Sequence, residues 1–300
     1  MNVTSSPFRY PGGKSQLTNY VNHLLKINYI NDTYIEPFAG GAGVAINLLL
    51  NGSVSNIVIN DYDKSIYSVW HAILNNPKQL ISMIKQTDVT IDEWYNQKEI
   101  HDKYSKYQNS IENAFSTLFL NRTTVSGIIS GGPIGGYKQK GKYKINCRFN
   151  KDKLISRIKL INNRKKDITI TRINAIDFID RILPNYDFRK VFIFFDPPYY
   201  KQGKRLYLSS FSSHEHKKLA DKIQNLDKYK WITTYDCEED ILQMYSKSKS
   251  FEYSLRYSAN HKRKASEYLF TNEFTKVESF ERITLKRINN SLLNHVGEKF

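Results

Sequence analysis

Four consecutive residues could do chemistry together, Asp196-Pro197-Pro198-Tyr199. They follow the apolar run Val191–Phe195, whose β-branched and aromatic residues are typical of a strand buried on both faces of a parallel sheet. The prolines end that strand because neither can donate a hydrogen bond to a ladder. A carboxylate, a carbonyl and an aromatic ring are therefore predicted at the carboxyl end of a strand, where open α/β sheets bind ligands. The alternative is an ordinary Asp-Pro turn with a surface tyrosine.

The tetrad resembles the catalytic motif Asp-Pro-Pro-Tyr of the DNA adenine methyltransferase (Dam) family. The resemblance implies transfer of a methyl group from S-adenosylmethionine to adenine N6, a poor nucleophile because its lone pair is delocalised into the ring. Asp196 and the carbonyl of Pro197 would accept the two amino hydrogens and stabilise the developing positive charge, by about 3 to 4 kcal/mol per well-placed group. Tyr199 would stack on a base that has left the duplex.

A second stretch, Gly13-Lys14-Ser15, invites comparison with a phosphate-binding P-loop. The comparison fails, because Phe8 stands where that motif needs glycine and no strand precedes it. We predict instead a glycine turn that opens a helix over residues 15–25. The stretch resembles the family's amino-terminal motif, which implies that Tyr10 and Lys14 bound the methionine end of the donor. Tyr10 replaces the tryptophan of some family members.

Residues 34–50 read as a short strand, a glycine-rich turn and a helix. A glycine turn lets a ligand approach the backbone closely. The stretch resembles the family's Phe-x-Gly-x-Gly pattern at Phe38 and Gly40, with Ala42 in place of the second glycine. The resemblance implies that Glu36, Phe38 and Gly40 contribute to donor binding, together with Asp196.

Residues 56–61 read as another strand, and it ends in Asp61, about 20 residues beyond the glycine turn. A carboxylate at this place in a nucleotide-binding unit can accept both ribose hydroxyls. The alternative is that Asp61 caps the following helix. Residues 174–178 read as a further strand end, where Asp177 and Phe178 resemble the family's pair that holds the adenine of the donor.

Residues 70–165 do not read as a βα repeat. Helical patterns over 69–84 and 111–120 precede a glycine-rich loop whose flanks carry lysine, tyrosine and arginine. The position resembles the family's slot for a target-recognition domain, so Arg122, Lys138 and Arg148 are predicted to contact DNA, at phosphates or base edges. The alternative is a flexible solvated loop. A second basic loop at 258–264 could also meet the DNA backbone.

Charge and composition favour the same partner. The chain of 300 residues holds 45 Lys+Arg against 29 Asp+Glu, a net charge of +16, which favours a polyanion such as double-stranded DNA. Cys147 and Cys237 stand alone, so neither a disulfide nor a metal site is predicted. The sequence shows no signal peptide and no apolar stretch near the ~18 residues of a membrane span. We expect no membrane association and a cytoplasmic protein, bacterial or phage-encoded as the resemblance implies.

These observations predict an α/β fold: a Rossmann-like S-adenosylmethionine-dependent methyltransferase core with a mixed, mostly parallel sheet and an inserted, mostly helical target-recognition domain. Residues 1–69 and 166–300 would form the catalytic domain and residues 70–165 the insertion. The predicted function is site-specific methylation of adenine N6 in double-stranded DNA after base flipping, by a monomer that could have a cognate restriction endonuclease. A cytosine-N4 methyltransferase, an RNA substrate and a non-catalytic DNA-binding regulator on the same scaffold stay open. His214 and His216 are expected to be surface residues at a helix start.

Overall fold

The structure is a computed structural model that describes residues 5–9, 13–201, 211–257 and 263–289. The predicted donor contact Tyr10 lies outside the described residues, and so does most of the basic loop at 258–264. Both therefore stay predictions.

Strands of the described residues form one mixed sheet. They are β1 (Thr33–Glu36), β2 (Asn56–Asn60), β3 (Ile168–Thr171), β4 (Val191–Phe195), β5 (Lys230–Asp236), β6 (Lys249–Tyr257), β7 (Arg263–Thr271) and β8 (Lys286–Ile288). Their order along the sheet is β3-β2-β1-β4-β5-β7-β6-β8. The pairs β2/β3, β1/β4 and β4/β5 are parallel, whereas β5/β7, β7/β6 and β6/β8 are antiparallel. The predicted α/β fold with a mixed sheet is confirmed.

Helices connect these strands. They are α1 (Thr18–Ile27), α2 (Gly43–Leu50), α3 (Lys64–Asn75), α4 (Pro77–Gln86), α5 (Ile91–Tyr104), α6 (Ile111–Thr123), α7 (Lys151–Asn163), the single turn α8 (Ala175–Asp177), α9 (Ser213–Gln224) and α10 (Glu239–Met244). Residues 61–167, all of which the structure describes, contain no strand, so the predicted insertion is mostly helical. None of the described helices is long and apolar enough to cross a membrane.

The chain divides into two compact units, Met1–Thr18 with Ala39–Ile173 and Asn19–Phe38 with Asn174–Phe300. In the first unit, α6 packs against both α3 and α5, which explains why polar Asn113 and Thr117 are as buried as Phe115. The division follows packing rather than function. The assignment of residues 70–165 to a target-recognition domain stays a prediction.

In the second unit, β4 lies between β1 and β5, and all five of its side chains are buried. This position explains its apolar sequence, since a strand with neighbours on both sides and covered faces needs no polar alternation. Helix α9 begins with a capping box in which Ser212 and Glu215 satisfy each other's backbone N–H groups.

Several local predictions were wrong. The helix predicted over 69–84 is two helices, because Pro77 cannot continue α3 and instead opens α4. The strand end predicted at 174–178 is wrong, because β3 stops at Thr171 and the Asn174 side chain caps α8 by accepting from the Ile176 N–H at 2.9 Å. Strand β6 was not predicted.

The prediction that His216 lies at the surface was also wrong. It is only 1% exposed, and its Nδ1 lies 3.0 Å from the hydroxyl of Tyr235, whereas His214 is exposed as expected. Burial lowers the pKa of His216 to about 4, so it is neutral in the core.

Candidate active site

Two acids leave the second unit's strands at the same edge. Glu36 ends β1 and Asp196 follows β4, and the parallel register pairs Ile35 with Ile193. The strand order along the sheet reverses at this pair, which is where open α/β sheets bind ligands. Glu36 is 6% exposed and accepts a hydrogen bond from the Tyr34 hydroxyl at 3.0 Å. Burial and the nearby Glu36 charge raise the pKa of Tyr34 well above its usual value.

Strand β5 holds the tetrad segment. The fully buried Thr234 donates its hydroxyl to Asp196 Oδ1 at 2.9 Å. Asp236 accepts from the backbone N–H groups of Tyr200 at 3.0 Å and Lys201 at 3.2 Å. Burial raises the pKa of Asp236, and these two backbone bonds oppose that rise. Side chains of β5 thus hold the residue before the two prolines and the two residues after Tyr199.

Strand β7 holds the tyrosine of the tetrad. The Tyr199 hydroxyl donates to Glu267, which is 1% exposed, and the Tyr253 hydroxyl donates to the other oxygen of that carboxylate at 2.5 Å. A buried carboxylate needs such donors to offset the loss of water. The ring of Tyr199 is therefore held through its hydroxyl.

The glycine turn and Asp61 meet in the first unit. Asp61 Oδ2 accepts from the Gly40 N–H at 2.8 Å, and Oδ1 accepts from the Asp63 N–H at 2.9 Å. The Gly40 carbonyl in turn accepts from the indole of Trp70 at 2.9 Å. Asp61 does not cap α3, since Asp63 accepts from the first N–H groups of that helix. The helix-cap alternative is therefore excluded for Asp61.

Ala42 adopts a left-handed backbone with φ 43°, and Gly40 has φ 47°. Only glycine takes this conformation without strain, and an alanine there costs about 1 kcal/mol. The geometry gives a physical reason for the second glycine in the pattern that this turn resembles. With Ala42 at this position the turn has the same left-handed conformation, but the backbone is strained.

The Asp61 carboxylate is enclosed although residue 61 as a whole keeps some exposure. Burial, and then the charge of Asp63, raise the pKa of Asp61 to about 7, against the two backbone hydrogen bonds that lower it. An acid with this pKa is present in both its protonated and its charged form near neutral pH. A ligand whose hydroxyls donate to the carboxylate would favour the charged form.

The remaining predicted donor residues have separate environments. Lys14 is buried in the 3₁₀-helix Lys14–Leu17 of the first unit. In the second unit, Phe38 packs edge-to-face with Phe211, with ring centroids 6.0 Å apart. Asp177 faces Arg181 at 3.6 Å, and Phe178 is completely buried. The donor roles of these residues stay predictions.

The predicted DNA contacts lie in the first unit. Arg122 is half-buried at the end of α6, whereas Lys138 and Arg148 are exposed. The charge of Arg148 is one of those that lower the pKa of Arg122, so these two side chains lie near each other. Lys138 is not among the charges that act on Arg122. Most residues of their loop are exposed, but the loop has internal hydrogen bonds: Gln139 donates to the Ile134 carbonyl at 2.8 Å and accepts from the Ile145 N–H at 2.9 Å.

Sequence reasoning missed Thr234, Asp236 and Glu267. The polar residues at the end of β5 were a usable signal. A buried polar side chain in a core strand needs a hydrogen-bond partner, so Thr234 and Asp236 indicated that other groups bind there. Glu267 gave no local signal. Among the described residues, no cluster of histidine, cysteine or acidic side chains could hold a metal ion.

Comparison with known proteins assigns the family. The chain matches the D12 class N6 adenine-specific DNA methyltransferases over residues 10–293. It is 25% identical over 241 residues to the Type II methyltransferase M.MjaIII of Methanocaldococcus jannaschii, covering 74% of this chain and 80% of that protein. It is 23% identical over 237 residues to the Type II methyltransferase M1.LlaDCHI of Lactococcus lactis subsp. cremoris, covering 77% and 78%.

A further relative is the modification methylase StsI of Streptococcus sanguinis, 24% identical over 241 residues that cover 75% of this chain and 34% of that protein. The fold and the family match together define a methyltransferase. The chain belongs to the D12 class of N6 adenine-specific DNA methyltransferases. Its activity is site-specific methylation of adenine N6 in DNA, which removes the cytosine-N4 and non-catalytic alternatives.

Asp61 should make the unliganded protein less stable as the pH rises. Its folded pKa of about 7 lies above the unfolded value of about 3.9. Its contribution to stability is therefore complete below pH ~4 and lost as the pH passes ~7. Asp61→Asn should remove about 1 to 3 kcal/mol of this pH dependence in urea unfolding at pH 4 and pH 8. The exposed Asp88→Asn is the control, and equal pH dependence in both variants would contradict the assignment.

Thr234→Val should lower the free energy of unfolding by about 1 to 2 kcal/mol, because the isosteric side chain cannot donate to Asp196. Thr234→Ser keeps the hydroxyl and should restore most of that loss. Urea unfolding of both variants measures the difference. A Thr234→Val protein as stable as the wild type would show that this hydrogen bond adds nothing.

Proposed function

We propose that the methyl donor is S-adenosylmethionine, that the target adenine leaves the duplex, and that Asp196, Pro197 and Tyr199 act on it. The observation that carries this proposal is the anchoring of the tetrad by Thr234 and Glu267. A catalytic group must be held within a fraction of an ångström to favour a transition state. Buried partners on β5 and β7 provide that rigidity.

Asp196 and the Pro197 carbonyl act as acceptors for the two hydrogens of the adenine amino group. Both groups then lie where positive charge develops on N6 as its lone pair is used. A proline carbonyl suits this role because its own residue has no N–H to compete for it. Tyr199 presents its ring to the extruded base, and its bond to Glu267 keeps the ring from turning away.

The first unit's residues fit a ribose. Asp61 offers two carboxylate oxygens, and the turn from Gly40 to Ala42 brings a left-handed backbone beside it. Ribose hydroxyls are donors, so they match a carboxylate whose pKa is poised near neutrality. S-Adenosylmethionine supplies an electrophilic methyl group on a sulfonium. Lys14, Tyr10, Glu36, Phe38, Asp177 and Phe178 are proposed as its further contacts.

Residues 70–165 are proposed to recognise the target sequence, with Arg122, Lys138 and Arg148 contacting double-stranded DNA. The net charge of +16 and the exposed lysine and arginine side chains of the glycine-rich loop support this role. Relatives named Type II methyltransferases and a modification methylase support a restriction–modification setting with a cognate endonuclease. The enzyme would act as a monomer in the cytoplasm of a bacterium, where its DNA lies.

Asp196→Ala should lower the single-turnover methylation rate by at least about 10²-fold, since the acceptor for the developing charge is lost. Duplex affinity should change little, because phosphate contacts dominate it. Liquid chromatography of nucleosides from treated DNA measures N6-methyladenine. The exposed Asp227→Ala is the control and should keep the wild-type rate. A fully active Asp196→Ala enzyme would refute the catalytic assignment.

Asp61→Ala should weaken S-adenosylmethionine binding by about 1 to 3 kcal/mol, the cost of leaving ribose hydroxyls without acceptors. Calorimetric titration without DNA measures the dissociation constant. Wild-type binding should also tighten as the pH rises from 6 to 8, because the charged carboxylate is the better acceptor. An unchanged dissociation constant in the variant would exclude Asp61 from the donor site.

A further inference from the structure

Four arginines from distant parts of the chain converge in the first unit. They are Arg9, Arg122 at the end of α6, Arg148 in the 3₁₀-helix Ile145–Arg148, and Arg157 on α7. Burial, followed by the charges of Arg9, Arg157 and Arg148, lowers the pKa of Arg122 to about 10. Arg122, Arg9 and Arg157 are half-buried, and Arg148 is exposed.

Within the described part of the chain, the cluster has no carboxylate counterion. Among the described residues, none of the four arginines forms an ion pair with a carboxylate. The Nε of Arg122 is buried and has no hydrogen-bond partner. Like charges brought together out of water destabilise the free protein, and a buried donor without an acceptor adds to that cost. Both costs disappear when an anion binds.

The arginines are fixed in place rather than loosely grouped. Asn121, next to Arg122, accepts from the Arg9 N–H at 2.8 Å and donates to the Arg9 carbonyl at 2.8 Å. Gly127 lies so close that a Cβ there would stand 2.2 Å from the Arg9 carbonyl oxygen. The Arg9 backbone is therefore locked against the end of α6.

Two of the four guanidinium groups are oriented by a single backbone contact each. Arg9 donates through Nη1 to the Thr124 carbonyl at 3.1 Å, and Arg157 donates through Nη1 to the Ser6 carbonyl at 3.1 Å. A guanidinium carries five N–H donors, so each contact orients the group and uses few of them. The planar fork matches phosphate oxygens in pairs.

We propose that Arg9, Arg122, Arg148 and Arg157 form a binding site for one phosphate group of the DNA backbone. The proposal rests on the proposed function and deepens it, since two of these residues lie outside the predicted DNA contacts. The exposed Arg148 meets the incoming phosphate, and the half-buried Arg122 gains an acceptor for its buried Nε. A phosphate held in this way sets the position of the duplex without reading its sequence.

The test compares Arg122→Met and Arg157→Gln with the control Arg189→Gln in the full-length protein. Arg189 loses the same charge, but it is ion-paired with Asp187. Binding of duplex DNA is measured by fluorescence anisotropy from 50 to 300 mM salt. Each cluster variant should bind target and non-target duplexes about tenfold more weakly and flatten the slope of log K against log salt by about one unit. The control should change neither quantity.

Thermal unfolding of the free protein separates a binding role from a structural one. Arg122→Met removes a repelled charge, so its Tm should equal or exceed that of the wild type, and a clear fall in Tm would overturn the proposal. The proposal would also be overturned if a cluster variant lost specificity at one base pair while the slope of log K against log salt stayed unchanged. If only inorganic phosphate raises the wild-type Tm and DNA binding is unchanged in both variants, the site takes a free anion and the proposal fails. Absence of adenine methylation by the wild type would contradict the proposed function alone, because DNA binding needs no methyl transfer.

Discussion

Two consecutive prolines after β4 impose a constraint on the rest of the second unit. Neither Pro197 nor Pro198 has an N–H, so the chain at the tetrad cannot be held by a backbone ladder. Side chains of β5 and β7 hold it instead, through Thr234, Asp236 and Glu267. The register places Asp236 directly opposite Glu267, a like-charge pair that is unfavourable by itself. Donors from the tetrad segment and from Tyr253 offset that cost, so the two acids and the tetrad depend on each other.

The first unit has a comparable dependence around residues 5–9. Ser6 donates its hydroxyl to the Gly41 carbonyl in the glycine turn, and its own carbonyl accepts from Arg157. Three residues later, Arg9 is locked to the end of α6 by Asn121. One short segment therefore links the turn proposed to bind the donor with the arginine cluster proposed to bind a phosphate. Phe8 packs this segment on Trp70, with ring centroids 5.5 Å apart.

Both proposed ligand sites carry a cost in the free protein. Asp61 has its pKa raised to about 7 by burial, and Arg122 has its pKa lowered to about 10 by burial and by neighbouring arginines. Ala42 adds backbone strain in the glycine turn. Such local conflicts are expected where a protein gives up stability for function. Strand β4 shows the opposite pattern, because all five of its side chains are buried and apolar.

The sequence by itself determined what depends on neighbouring residues. The apolar run of β4, the prolines that end it, the glycine turn before α2 and the acid after β2 are all local, because strand burial, turn conformation and strand ends depend on a few adjacent side chains. The fold class and the family therefore followed from short motifs. Only the tertiary structure decided which distant residues meet: Glu267 under Tyr199, Asn121 against Arg9, and His216 buried against Tyr235. Those contacts depend on strand register and helix packing across more than a hundred residues in some cases, and no local pattern encodes them.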